Sequence, residues 1–206
     1  HSDNNTLTDN KVEWENTVGI DLEWSNGNTL TDNLVDQNGS GITVIYDSNG
    51  NTLINNYVFR NTNNGIHLDT SNNSQIIGNS VADNGLYGID LASGCSGTAI
   101  NFNIIVGNSY GYGLLNNPSN PQVDATNNWW GANDGPSASP GSGDRVSANV
   151  DYDPWLVTGI SANPTSILIG GATSTITAYM TRHSNGVDTS AMGYIRDVTK
   201  IIFTTD

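Results

Sequence analysis

Apolar residues recur along this chain in a fixed register: Leu7, Leu30, Leu53, Ile76 and Ile100 stand 23, 23, 23 and 24 residues apart. Three residues after each comes an asparagine, at Asn10, Asn33, Asn56, Asn79 and Asn103. Two further on comes a β-branched residue, at Val12, Val35, Val58, Val81 and Ile105. Each unit closes on a glycine and an aliphatic residue, from Gly19-Ile20 through Gly41-Ile42, Gly65-Ile66 and Gly88-Ile89 to Gly113-Leu114. Such a period marks a stacked repeat architecture, and the unit is too short for a helical hairpin or a propeller blade. It suits one coil of a β-solenoid.

Within a coil the apolar residues alternate, as in Ile66-His67-Leu68 and Ile89-Asp90-Leu91, so one side chain points inward while its neighbour points out. Gly and Asn between the short strands are expected to supply positive φ and tight corners. Stacking puts equivalent residues about 4.8 Å apart, so the leucines and isoleucines become one aliphatic column. The five asparagines Asn10, Asn33, Asn56, Asn79 and Asn103 can then bond up and down as an internal ladder. No window holds a helical period free of Gly and Asn. The expected fold is all-β, a right-handed parallel β-helix.

Five coils occupy residues 4–120, and Val123 is expected to re-enter the apolar column 23 residues after Ile100. The pattern then changes to an aromatic stretch with Trp129 and Trp130, a Gly/Pro/Ser loop from Ala132 to Gly143, and the segment ending at Trp155 and Leu156. Large aromatic side chains bury much area, so Trp129, Trp130 and Trp155 are expected to seal the end of the solenoid core. After Val157 the register is lost. Residues 158–206 predict short strands at Ile160–Ala162 with Ser166–Ile169, at Thr173–Thr181 and at Ile201–Thr205, separated by turn residues. Two domains are therefore expected: a β-helix with its aromatic cap over 1–157, and an incomplete sandwich over 158–206.

Composition narrows the function classes. Six Lys and Arg stand against twenty Asp and Glu, a net charge of −14, which repels phosphate backbones and argues against nucleic acid as a partner. It suits divalent cations or a high-salt exterior. The 31 asparagines and 23 glycines are the composition of many turns. Cys95 stands alone, so no intrachain disulfide forms. No stretch of these residues is expected to act as a signal peptide or a membrane span. The chain opens at His1 into a coil without the polar cap that terminal repeats carry, and so reads as part of a larger protein. Sequons at Asn4, Asn38 and Asn72 would permit glycosylation if it is exported.

The coils over 4–120 resemble the pectate-lyase-like right-handed parallel β-helix repeat family. Asn127-Asn128-Trp129-Trp130-Gly131, Gly135-Pro136, Gly143-Asp144 and Val150 to Leu156 resemble the C-terminal cap of adhesin-like surface proteins of methanogenic archaea. Residues 160–206 are similar to the first half of an invasin-type Ig-like repeat, through Ala162-Asn-Pro-Thr-Ser166, Ser184-Asn-Gly-Val-Asp-Thr-Ser190 and Phe203-Thr-Thr205. A whole Ig-like domain takes about 100 residues and seven strands; here the module stops halfway. The resemblance implies an extracellular, cell-surface location.

Function must be argued from a site, because this fold hosts many. Outward positions of the Gly-aliphatic strand form a column of Asp21, Thr43, His67, Asp90 and Leu115, and two residues on lies a second column of Glu23, Ile45, Asp69 and Ala92. His67, Asp69 and Asp90 are the catalytic candidates, since two carboxylates beside a sugar can serve as acid and base. Asp69 and Asp90 are also the metal candidates, with Ca²⁺ the cation that their oxygens suit. Lyases of this fold class typically offer a Lys or Arg, and Lys11, Arg60 and Arg145 all fall outside the column. Trp24 and Tyr46, one coil apart and beside Asp21 and Glu23, form a carbohydrate-binding candidate, or else simply pack on each other across the ladder.

These features favour a non-enzymatic stalk or glycan-contacting module of an extracellular adhesin-like protein that requires no cofactor. Its partner would be a surface polysaccharide or another cell-surface protein. Two alternatives stay open: a polysaccharide lyase or glycoside hydrolase at His67, Asp69 and Asp90, and a filament subunit whose incomplete Ig-like segment self-associates by strand addition.

Overall fold

A computed structural model describes residues 2–108, 111–137, 141–166, 173–193 and 195. Every coil contributes three short strands. The first holds β1 (Thr6–Thr8), β2 (Lys11–Glu13) and β3 (Val18–Glu23), and the second β4 (Thr29–Thr31), β5 (Leu34–Asp36) and β6 (Ser40–Ile45). The third holds β7 (Thr52–Ile54), β8 (Tyr57–Phe59) and β9 (Ile66–Leu68), and the fourth β10 (Gln75–Ile77), β11 (Ser80–Ala82) and β12 (Ile89–Leu91). The fifth holds β13 (Ala99–Asn101), β14 (Ile104–Val106) and β15 (Leu114–Asn116). Two-residue strands β16 (Val123–Asp124) and β17 (Val150–Asp151) extend the stack, and β18 (Leu156–Asn163) and β19 (Thr175–His183) follow it.

Like strands of successive coils pair in parallel. The first sheet runs β1-β4-β7-β10-β13-β16-β17, the second β2-β5-β8-β11-β14 and the third β3-β6-β9-β12-β15. Leu7 pairs with Leu30, Leu30 with Leu53, Leu53 with Ile76 and Ile76 with Ile100. From Leu30 onward this column is wholly buried, as are Val35, Val58, Val81 and Ile105 of the second sheet and Ile42, Ile66, Ile89 and Leu114 of the third. The described residues hold no helix.

The aliphatic column departs from its expected continuation. Ala99 pairs with Asp124, so the fully buried Ala125 stands over Ile100, and Val123 falls on Thr98. That coil runs 25 residues, against 23 in the first three and 24 in the fourth.

Buried amides run through the stack. Asn33 donates its N–H and its side-chain Nδ2 to Asn56 Oδ1 at 3.0 and 2.9 Å. Asn56 does the same to Asn79 Oδ1 at 2.8 and 2.9 Å. The remaining Nδ2 hydrogen of Asn56 goes to the carbonyl of Leu30 at 2.9 Å. The ladder ends on Asn128, which accepts from Asn103. A second ladder, through Asn38, Asn61, Asn84 and Asn108, stands where the chain enters the third sheet. It ends on a carboxylate. Asp144 accepts from the N–H of Gly107 at 2.9 Å and from the N–H and Nδ2 of Asn108, both at 3.0 Å. Burial pushes the Asp144 carboxyl above its usual range, against these hydrogen bonds. A third ladder joins Asn5, Asn28 and Asn51. It lapses above them, where Ser74 Oγ and Thr98 Oγ1 are buried without a partner.

Glycines and asparagines between the strands take positive φ as expected, among them Gly27, Gly50, Asn55, Asn73 and Gly97, and other residue types join them. At the first corner Asp9, Asp32, Asn55, Gly78, Phe102 and Asn127, one per coil, all take φ between 54° and 67°. Trp24 and Tyr46 do likewise after the third sheet, at 46° and 57°. The glycines of the Gly-aliphatic pairs are not among the left-handed residues. They are required by close approach: a Cβ on Gly65 would lie 2.7 Å from the carbonyl oxygen of Gly88, from Asn84 Nδ2 and from Val81 Cγ1.

At the far end Trp130 is wholly buried, and Trp155 and Tyr152 pack on the core from outside. The Trp155 indole donates to the carbonyl of Asn133 at 3.1 Å, while Trp129 is half-buried. β18 begins at the buried Leu156 and so runs across the boundary expected after Val157. It pairs antiparallel with β19. Ser166 lies outside any strand; Ile201–Thr205 and residues 167–169 lie outside the described residues. The described part of 158–206 is thus a two-stranded antiparallel sheet.

This pair is held to the stack by a histidine. His183, 7% exposed, faces Asn127 Oδ1 through Nε2, and Ser184 N–H donates to the carbonyl of Trp155 at 2.8 Å. Burial lowers the imidazole's affinity for protons, and Asp153 only partly opposes this. A lowered folded-state pKa means that the contact contributes fully above the ordinary imidazole value and is lost as pH falls through the folded one. Acidification is therefore expected to increase proteolytic nicking between Leu156 and His183, and His183→Gln to remove that pH dependence.

Candidate functional site

The outer face of the third sheet carries the side chains with chemistry. Parallel pairing sets Asp21 beside Thr43, Thr43 beside His67, His67 beside Asp90 and Asp90 beside Leu115. Thr43 Oγ1 donates to Asp21. His67 Nδ1 lies 2.8 Å from Asp90 Oδ2, and Asn64 Nδ2 donates to the same oxygen at 3.1 Å. A carboxylate acceptor assigns the proton to Nδ1 and leaves Nε2 as the free acceptor of the neutral ring. Asn64 Oδ1 is buried with no partner.

Asp69 does not join this cluster. It belongs to the neighbouring column, opposite Ile45, and its N–H donates to the carbonyl of Val44 at 3.1 Å. Among the described residues no group of three or more His, Cys, Asp and Glu side chains is placed to hold a metal ion, so Asp69 and Asp90 lack a further ligand of those types. Cys95 is buried in the core, and burial raises its thiol pKa. Of the sequons, Asn38 is 1% exposed and built into a ladder, which bars a glycan there.

Trp24 and Tyr46 stack at one end of this face, ring centroids 4.7 Å apart and planes inclined by 21°. Both are about half exposed, at 48% and 45%. Glu23 precedes Trp24 and pairs with Ile45, while Asp21 and Asp47 are exposed beside them. Toward the other end stand Tyr87 and Tyr112, 6.3 Å apart, with the Arg145 guanidinium 4.4 Å over the Tyr112 ring. Arg145 thus reaches this face, although it lies outside the His67–Asp90 column. Asn64, Tyr87 and Tyr112 each immediately precede the glycine of a Gly-aliphatic pair, a periodic signal that would have found them. Arg60, by contrast, pairs with Asp36 at the second sheet, where its Nε donates at 2.9 Å.

A groove of about 460 Å³ runs elsewhere, along the outside of the first sheet, between Ile54, Ile77, Phe102 and Met192. Its lining is largely apolar, and the His67–Asp90 pair is not part of it.

The sequence profile of the family described as "Periplasmic copper-binding protein (NosD)" matches residues 1–133. Among solved structures, the chain is similar to the A-module of the mannuronan C-5 epimerase AlgE6 of Azotobacter vinelandii, with a TM-score of 0.49 and 17% identity. That likeness covers 74% of this chain and 55% of the module, so the chain spans about half of that structure's length. Curated proteins give no match.

Proposed function

The chain belongs to the NosD family of periplasmic copper-binding proteins, and from that premise we propose that it is an envelope β-helix module that works by contact, holding glycan on the outer face of its third sheet. The observation that carries this reading is the Trp24–Tyr46 stack, two rings packed on each other and each about half exposed, so that the outer face of a ring is open to the face of a pyranose. The polar column of Asp21, Thr43 and His67 beside it, with Asn64 next to His67, offers donors and acceptors for sugar hydroxyls. In this reading β18–β19 opens an Ig-like spacer of an adhesin-like surface protein.

The family's name brings copper with it. Copper sites take imidazole nitrogens or soft sulfur ligands gathered at one point. The described residues do not fit that need: His67 has only Asp90 beside it, His183 faces Asn127, and Cys95 is buried in the core. No step is therefore derived through copper.

A second reading, turnover of the glycan, is favoured by one observation. Asp90 fixes the tautomer of His67 and leaves Nε2 as an oriented base. Asp90 is itself engaged by His67 and Asn64, so it is not free to serve as one of the two carboxylates of glycoside hydrolysis.

The test joins binding and turnover. Neutral oligosaccharides should quench tryptophan fluorescence in the unaltered chain, and Trp24→Ala should weaken binding by about tenfold, the worth of one ring contact. No product should be released from neutral or acidic polysaccharides, with or without Ca²⁺. Turnover that disappears in His67→Ala would replace the contact reading with the catalytic one.

A further inference from the structure

The corner that bears the stack is built in a way the fold itself does not need. Trp24 and Tyr46 hold bulky rings at φ of 46° and 57°, a left-handed conformation that costs a non-glycine residue about 1–2 kcal/mol. The third coil turns at the same corner with Thr70 and the fourth with Gly94, also at positive φ. The two rings leave about half of their surface in water, so burial recovers little of that cost. Trp14, at a φ of 69° and 63% exposed, is a third such ring, so what sets Trp24 and Tyr46 apart is that they stack.

The charge around them says what kind of ligand. Asp21, Glu23 and Asp47 surround the stack, and Asp69 stands in the column of Glu23. The basic side chains of the described residues are all engaged elsewhere. Lys11 pairs with Glu13, Arg60 with Asp36, and Arg145 and Arg182 lie over Tyr112 and Tyr179. Arg145 stands four coils beyond Tyr46, roughly 19 Å at about 4.8 Å per coil, which exceeds the screening length of about 10 Å in moderate salt. The stack therefore lies in an unneutralised negative field, which repels uronic acids and attracts an ammonium group. A ring face adds its own attraction for a cation.

We propose that Trp24 and Tyr46, with the carboxylates of Asp21, Glu23 and Asp47, form a subsite for a sugar bearing a free amine, so that the chain prefers amino-sugar polymers to neutral or uronic ones. This rests on the glycan-contact reading above. One pyranose face stacks on the outer face of one ring while its ammonium group meets Glu23 or Asp47. A lysine-rich peptide would satisfy the charges but has no flat face for the rings.

The test compares, by calorimetry in mildly acidic buffer, hexamers of glucosamine, N-acetylglucosamine and galacturonate. The glucosamine hexamer should bind about tenfold more tightly than the acetylated one, and the galacturonate hexamer should not bind. The double variant Glu23→Gln with Asp47→Asn should abolish the amine preference while keeping affinity for the acetylated hexamer. Equal affinity for the two hexosamine polymers, or a preference unchanged in that double variant, overturns the proposal and leaves glycan contact standing. Binding of no hexamer sinks both. Polylysine binding as tightly as the glucosamine hexamer and unaffected by Trp24→Ala would mean a merely acidic surface, and would also overturn it.

Discussion

Gly65→Ala is expected to cost about 3 kcal/mol or more and to split the solenoid at its centre. The new methyl carbon would sit 2.7 Å from the carbonyl oxygen of Gly88, a backbone atom fixed in the next coil. On its other sides it meets Asn84 Nδ2 of the second ladder and Val81 Cγ1 of the core, both also at 2.7 Å. None of the three can retreat without breaking a hydrogen bond or a packed column, which places the change at the severe end of overpacking. Gly50 is the control: nothing lies within 4 Å of its added Cβ, and only its φ of 65° resists, a cost of about 1–2 kcal/mol. In a stack where each coil touches only its neighbours, a central lesion also uncouples the two halves. Urea unfolding of Gly65→Ala should therefore show a shallower slope as well as an earlier midpoint. Equal midpoints for the two variants would contradict the close-approach argument.

Asn56→Ala should be nearly as damaging. The side chain of Asn56 accepts two hydrogen bonds from Asn33 and donates to Leu30 O and Asn79 Oδ1, all out of water. Alanine strands the Asn33 donors and the Leu30 carbonyl; at about 1–3 kcal/mol for each buried group left unpaired, the loss is about 3 kcal/mol or more. Asn10, at the exposed end of the same ladder, donates to Asn33 Oδ1 and Thr8 O. Water can replace it, so Asn10→Ala should cost about 1 kcal/mol. A flat response along the ladder, read as denaturation midpoints, would contradict the burial argument.

What could be read from the residues alone followed the period. A 23-residue repeat sets like residues side by side, so the His67–Asp90 contact and the Trp24–Tyr46 stack both lie on its register. The second ladder at Asn38, Asn61, Asn84 and Asn108 carries the same periodic signal as the first. Other features carry no periodic signal. Asp144 and Arg145 return to the stack after the loop that follows Trp130, which no repeat announces. The backbone of Trp24 and Tyr46 adopts positive φ because the corner demands it, against the preference of their side chains. Val123 leaves the expected column because a coil of 25 residues shifts the count, and only the pairing of Ala99 with Asp124 reveals it. β18 begins within the cap because Leu156 is needed to close the core.

The most direct test of a glycan-contacting face is a titration of the ¹⁵N-labelled chain with an N-acetylglucosamine hexamer, followed by the indole N–H resonances. The five tryptophans sit in distinct places, with Trp24 half exposed on the third-sheet corner and Trp130 buried in the core. The account predicts that the Trp24 indole signal and the amides of Asp21, Thr43 and Tyr46 move together and saturate while the Trp130 signal stays in place. Movement confined to Trp14 or to the cap tryptophans, or no movement at saturating sugar, would contradict it.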